Sequence, residues 1–388
     1  MERLRYLTAG ESHGRGLVGI LEGMPSNVPL GQQKIDAQLA RRQQGHGRGG
    51  RQKIEQDRAE VVSGVRFGLT LGSPIALLVW NKDWANWQQV MDPFERPQHY
   101  QRVSVPRPGH ADLAGALKYR FEDIRNVLER SSARETTMRV ALASIARQLL
   151  EHFNIHIASH VVAMLDVQAQ VDPEAFEDLV ALNQQADASP VRCLDPQAEA
   201  QMVERIDQAR KEGNAVGGLF EVVATGVPLG LGSYVHWEHK LDARIARAML
   251  SIQAMKSVEI GMGREVGLRW GSEVHDEIFY SRQEGFTRNH NHAGGIEGGM
   301  STGDPLVVRV AMKPLSTLMR PLKSVDLFSK EPVEGHRERS DVCAVPAAAV
   351  IGESILALTL ADALLEKFGG DSLEELEAHV KWAEEHAL

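Results

Sequence analysis

From Cys343 to Leu365 the chain is almost unbroken in its apolar character, interrupted only by Glu353 and Asp362. A helix that is apolar all round is either enclosed in a large core or placed in a bilayer. Two acidic residues inside the run argue against the bilayer, so the sequence predicts a buried helix. A chain of 388 residues is long enough to enclose one, as one large domain or two ordinary ones. Its 43% apolar and 24% charged content is that of a soluble globular protein, which supports the same choice.

Around this run the pattern alternates irregularly. Val- and Ile-rich segments at Leu17–Leu21, Ala59–Val65, Ile75–Trp80, Ile155–Val162, Gly218–Val223 and Leu306–Met312 predict strands. Helices are expected at Lys34–Gln44, Ala133–Phe153 and Leu241–Ala254, and from Ser372 onward as a polar, solvated helix. No regular βαβ period and no Gly-x-Gly-x-x-Gly after a first strand occur, so a standard dinucleotide-binding fold is not supported. The stretch from about Asp166 to Asn214 is acidic and poor in motifs, and is expected to be peripheral structure on the same core.

Bulk charge narrows the function. A formal charge of −9 argues against a general nucleic-acid binder. Cys193 and Cys343 are too few and too far apart for a disulfide scaffold or a zinc knuckle, which fits a reducing cytoplasm. Met1–Tyr6 is charged and no apolar segment follows it, so no secretory signal is expected.

The chemistry-bearing residues stand on glycine-bounded loops. His13 lies in Gly10-Glu11-Ser12-His13-Gly14, directly after an apolar segment, and His110 lies in Arg107-Pro108-Gly109-His110-Ala111-Asp112. Packing gains little from an imidazole beside glycine, whereas a loop carrying an acid/base group to a ligand needs that permissive backbone. The segment Arg41–Lys53 mixes arginines with glycines and can wrap a phosphate or carboxylate, although a solvated surface loop has the same composition. Ser132 and Glu135 have capping-box spacing, so a helix N-terminus flanked by Arg130 and Arg134 is expected there, suited to an anion or simply capped. Asn289–Gly303 carries glycines that admit a flat or phosphorylated ligand, or merely tight turns, and leads to the cation and hydroxyls of Lys313-Pro314-Leu315-Ser316-Thr317. Asp341 precedes the apolar run as a cap or as a carboxylate coupled to a histidine. His290 and His292 lack the usual ligand spacing, and no metal site is expected. Trp80, Trp84 and Trp87 read as core or interface aromatics rather than a stacking platform.

Taken together and in order, Gly10–Gly14, Arg41–Arg51, Arg107–Asp112, Arg130–Thr136, Gln253–Gly261, Asn291–Gly303 and Arg339–Glu353 resemble the chorismate synthase family, over nearly the whole chain. Thr137, His46 and Pro25-Ser26-Asn27 depart mildly from the family pattern. The resemblance implies an α+β fold, a β-α-β sandwich of antiparallel sheets around long central helices, in one domain spanning residues 1–388, assembled as a homotetramer in the cytoplasm. It implies loss of phosphate from 5-enolpyruvylshikimate 3-phosphate with reduced FMN and no net redox change. It assigns His110 to protonating the leaving phosphate, His13 to the protonation of the reduced flavin, and Asp341 to assisting proton removal at the flavin. FMN is expected at Arg130, Ser131, Ser132, Gln253, Ala254, Gly298, Lys313, Pro314, Leu315, Ser316, Thr317 and Arg339. Substrate or NADPH is expected at Arg42, Arg48, Arg107 and Arg134, with the flavin reduced by an external partner. A flavin oxidoreductase consuming NADPH is the alternative.

Overall fold

The computed structural model describes residues 3–50, 56–171, 176–335 and 341–386. Its α-helices are α1 (Gln32–Gln43), α2 (Asp112–Tyr119), α3 (Arg125–Ser131), α4 (Thr136–His152), α5 (Leu179–Ala188), α6 (Pro196–Glu212), α7 (Leu241–Leu250), α8 (Val345–Phe368) and α9 (Leu373–Glu385).

The apolar run forms α8, whose residues are buried from Val345 to Leu358 and again from Leu360 to Leu365. It is long and apolar enough to cross a membrane, yet its whole apolar stretch is enclosed by the fold. One side packs on α4; the other meets the strands His156–Met164 and Gly218–Thr225. Close approach on that side depends on Gly352, where a Cβ would come within 2.7 Å of the Phe220 ring.

Both interruptions of the run are satisfied. Glu353 is fully buried and takes two hydrogen bonds from Arg41 (2.8 and 2.9 Å), one from Arg147 (2.7 Å), one from the Ser159 hydroxyl (2.6 Å) and one from Arg192 (3.2 Å). Asp362 accepts the backbone N–H of Leu4 at 2.7 Å and pairs with Arg244. A buried carboxylate persists only with such partners.

Two antiparallel sheets flank the helices. In the first the order is Arg5–Ala9, Gly16–Glu22, Ile75–Trp80, Glu60–Ser63; in the second it is Met255–Ile260, Leu306–Met312, Gly218–Thr225, His156–Met164, Val167–Gln168. Gly16–Glu22 and Ile75–Trp80 pack on α4. Leu17, Leu21, Ile75, Leu77 and Val79 enter the core, whereas Val18 and Ile20 of the same strand face outward, as period-two alternation requires.

Ile75–Trp80 and Leu306–Met312 form over the residues the sequence predicts. The expected strand Ala59–Val65 splits at Gly64, and Val65–Arg66 pairs instead with Leu69–Leu71. The predicted helix from Leu241 ends at Leu250, before a turn in which Ala254 takes a left-handed φ of 70°.

The capping box does not form. The Ser132 hydroxyl accepts from the N–H of Arg134 (3.3 Å) and starts a 3-10 turn, Ala133–Glu135, so that α4 begins only at Thr136. Its own N–H is already committed to Leu128 at the end of α3, and the Glu135 carboxylate turns to Thr8 and Arg139. The acidic stretch 166–214 contributes α5, which covers His156–Met164, and supplies Arg192 and Asp187 to the network around Glu353.

Candidate active site

The His13 loop leaves the first sheet between Arg5–Ala9 and Gly16–Glu22 and is held by α3. Glu129, with only 2% of its side chain exposed, accepts the His13 backbone N–H at 2.7 Å and stands 2.9 and 3.1 Å from His13 Nδ1. A carboxylate only accepts, so Nδ1 carries the proton. The Ser12 N–H bonds the Glu129 carbonyl, and Arg125 donates to the same carboxylate at 3.1 Å. Burial alone would raise the Glu129 carboxyl; the hydrogen bond and charge of His13 outweigh it and hold the group below its ordinary value. Trp87 lies between His13 and Arg125, its ring 4.1 Å from that of His13 and 4.9 Å from the Arg125 guanidinium.

Asn81, at the end of Ile75–Trp80, ties this loop to a group of guanidiniums. Its amide donates to the carbonyls of Glu11, Ser12 and Gly14, while its oxygen accepts from Arg134 Nε at 3.0 Å. Arg134 also binds Asp57 at 2.6 and 2.8 Å, and Arg42 stands 3.8 Å from the same carboxylate. Arg42 is oriented by Thr136 and the Ala133 carbonyl. Burial pushes the Arg42 guanidinium down to about 9; Asp57 works against that, Arg134 and Arg48 add to it, and Asp341 opposes it. Like charges crowded this closely suit an anionic ligand. Asp341 is reached from the glycine-rich loop after α1 by the Gly49 N–H (2.6 Å) and by Arg48 Nε (3.4 Å).

His110 belongs to a second cluster. Asp112, the first residue of α2, lies 2.5 Å from His110 Nδ1 and receives the N–H and Nε–H of Arg107 at 3.0 and 2.8 Å. Burial would raise Asp112, but the hydrogen bonds from His110 and Arg107 and their charges hold it far below the usual carboxylate range. Arg107 packs 3.1 Å from His110 Nδ1 and donates to Thr317 at 3.3 Å; Lys313 donates to the Gly109 carbonyl. The two histidine clusters meet through α2 and α3, which pack together; among the described residues no hydrogen bond joins them directly.

Most of the residues expected at FMN lie beside these clusters. Arg130 reaches back to the carbonyls of Thr8 and Gly10 and lines a shallow pocket with Gln253, Glu135 and Arg139. The Ser131 hydroxyl turns back to the Leu128 carbonyl. Gln253 donates to Glu135 at 3.4 Å, and Ala254 accepts the Lys313 N–H at 3.0 Å, linking this pocket to the His110 cluster. Gly298 is in the turn between Ile296–Glu297 and Met300–Ser301, a hairpin held to α7 by the bond from Leu241 N–H to the Gly299 carbonyl. Arg339 and Arg51 lie outside the described residues. Among the described residues no His, Cys, Asp and Glu grouping is suited to a metal.

Asp57, Asn81 and Glu129 are the site residues that sequence reasoning missed. Each pairs with a residue far along the chain, 116 positions away for Glu129 and His13, and none sits in a local motif.

Two histidines on buried carboxylates, set among guanidiniums, make a site suited to moving protons on an anionic small molecule. Known proteins agree. The Chorismate synthase family model matches residues 4–365. The chain is 58% identical over 378 residues to the chorismate synthase of Symbiobacterium thermophilum, covering 96% of both chains. It is 54% identical over 372 residues to that of Alkaliphilus metalliredigens, covering 96% of this chain and 97% of the relative. A crystal structure of chorismate synthase superposes with a TM-score of 0.77 at 42% identity, covering 99% of this chain and 98% of the other. The chain belongs to the chorismate synthase family, whose members are carbon–oxygen lyases of the shikimate pathway.

Proposed function

We propose that this chain performs the anti 1,4-elimination of phosphate from 5-enolpyruvylshikimate 3-phosphate, giving chorismate with reduced FMN and no net redox change. The observation that carries the reading is the pairing of each loop histidine with its own buried carboxylate and its own set of cations. Reduced FMN, when bound, supplies electron density to a substrate whose leaving phosphate no adjacent carbonyl activates.

The residues present fit a flavin. Gln253 Oε1 is a buried acceptor with no hydrogen-bond partner among the described residues, beside the Arg130 pocket, and suits an N–H at a ring edge. Arg130, Ser131, Ser132, Gln253, Ala254 and Lys313–Thr317 would hold the cofactor, with Gly298 and Arg339 completing the set. His110 Nε2 delivers the proton to the departing phosphate, steadied by Arg107. His13 Nε2 would set the protonation of the bound reduced cofactor, and Asp341 would assist proton removal from it. Arg42, Arg48, Arg107 and Arg134 neutralise the substrate's carboxylates and phosphate, with Arg42 and Arg48 shared with NADPH.

We further read the sheet–helix–sheet packing as a β-α-β sandwich in a single domain, and the working protein as a cytoplasmic homotetramer supplied with reduced flavin from outside. The packing of α4 on the first sheet and α8 on the second supports the sandwich.

The test is an anaerobic phosphate-release assay with and without reduced FMN. Phosphate released with catalytic reduced flavin supports the lyase; NADPH consumed in proportion to product would show an oxidoreductase instead.

A further inference from the structure

The two loop histidines are held in the same way, and from that we infer that Glu129 and Asp112 are positioning residues that fix both rings as the Nδ1–H tautomer, making Nε2 the working nitrogen. The inference deepens the proposed roles of His13 and His110 and rests on them for its catalytic consequence.

Each carboxylate makes three kinds of contact. Glu129 takes the ring Nδ1–H of His13, the backbone N–H of His13 and a guanidinium N–H of Arg125. Asp112 takes the ring Nδ1–H of His110, the backbone N–H of Arg107 in the same loop, and the Arg107 guanidinium. Both carboxylates are nearly inaccessible, at 2% and 1% side-chain exposure, and both come from short helices that pack on each other. The rings are less enclosed, at 11% and 19%, so each keeps an edge toward the site.

A carboxylate surrounded only by donors cannot tolerate an imidazole lone pair at Nδ1, because that nitrogen would face an acceptor without a proton between them. The neutral ring must therefore carry its proton on Nδ1. An acid that loses its proton from Nε2 then returns directly to its resting form. In the opposite tautomer the neutral ring would keep the proton on Nε2 and could not accept one there.

Glu129→Gln separates this role from mere packing. The backbone N–H of His13, 2.7 Å from Oε2, demands the amide oxygen at that position. The amide NH2 then replaces Oε1, 2.9 Å from Nδ1, and favours a lone pair from the ring, while Arg125, 3.1 Å from Oε1, must turn to another acceptor. The neutral tautomer of His13 should switch to Nε2–H with the fold intact. Asp112→Asn makes a similar demand of His110, since Oδ2 faces the N–H and Nε–H of Arg107, while Oδ1 faces the ring and a second Arg107 N–H at 3.1 Å, which must turn away.

The experiment is long-range proton–nitrogen correlation NMR on protein labelled with 15N-histidine, without flavin, the two rings being assigned from His13→Asn and His110→Asn. Nδ1–H signatures for both neutral rings are expected in the wild type. Glu129→Gln should move only His13 to Nε2–H, and turnover with reduced FMN should fall by at least ~10²-fold with a much smaller change in KM. An Nε2–H signature at either ring in the wild type overturns the assignment, whether or not any variant folds. A variant that switches tautomer yet turns over normally confirms the positioning and removes His13 from the chemistry instead.

Discussion

Arg134 grips Asp57 through one guanidinium nitrogen, 2.6 and 2.8 Å from the two carboxylate oxygens, and the Asp57 side chain has no exposed surface. This pair anchors the cationic side of the site: Arg134 also holds Asn81, which holds the His13 loop, and Arg42 stands against the same carboxylate.

Replacing Asp57 with Asn should therefore act twice. Removing one partner of a buried ion pair costs about 3–5 kcal/mol of stability, to be read from urea unfolding. The Arg42 guanidinium, pushed to about 9 mainly by burial, also loses the charge that pulls it upward. It then sheds its proton at lower pH, and the alkaline limb of kcat/KM should move toward neutrality. An unmoved alkaline limb would show that Arg42 does not titrate in the working range.

Glu353 sets an acid limit on stability. Burial would raise its carboxyl, but Arg41, Arg147 and Arg192 outweigh burial and hold it far below its ordinary 4.5. A carboxylate depressed on folding contributes stability that is complete above pH 4.5 and is lost as pH falls below it toward the folded value. Glu353→Gln should destabilise by about 3–5 kcal/mol near neutrality, because three guanidiniums lose their common counter-charge. Its deficit against wild type should shrink as pH drops below 4.5, measured as urea midpoints across that range.

Gln253 should matter to the cofactor more than to the fold. Its buried oxygen has no partner among the described residues, so Gln253→Leu removes an unsatisfied acceptor and only one long hydrogen bond, to Glu135 at 3.4 Å. The thermal midpoint without flavin should stay level or rise. FMN affinity should fall about tenfold, the low end for leaving a buried N–H unpaired. Unchanged FMN binding by fluorescence titration would place the flavin elsewhere.

What was legible in the sequence follows from range. The buried helix, the strand Ile75–Trp80 and the loops of His13 and His110 are written in local runs and spacings, and the structure has them there. Glu353 stood out only as a flaw in an apolar run; that it joins guanidiniums from α1, α4 and the segment after α5 depends on packing. The Ser132–Glu135 pattern misled because Glu135 has better uses: it bonds Thr8, 127 residues away, and Arg139, its i,i+4 neighbour on α4. Glu129 and Asp57 were silent for the same reason. A carboxylate's partner 116 or 77 residues away leaves no spacing to read.

The loop after α1 is fastened at Gly47 and Gly49. The Gly47 carbonyl accepts the N–H of Val342 at 2.8 Å, fastening the loop to the segment that leads into α8, and Asp341 is held beside it by Gly49 and Arg48. Gly47 has a φ of 88°, and an added Cβ would lie 2.9 Å from Ile206 Cγ2 and 3.0 Å from Cys343 Cβ. Gly47→Ala thus meets backbone strain of about 1–2 kcal/mol and a steric clash together. Both are relieved if the loop lifts from Val342, which separates Arg48 from Asp341. Turnover should fall by at least ~10-fold, about 1.4 kcal/mol in the barrier, while the thermal midpoint drops little because α8 keeps its packing. Gly50, where an added Cβ meets nothing within 4 Å among the described residues, provides the comparison. Gly50→Ala should retain turnover, and equal losses in the two variants would mean that loop flexibility, not docking at Gly47, supports the reaction.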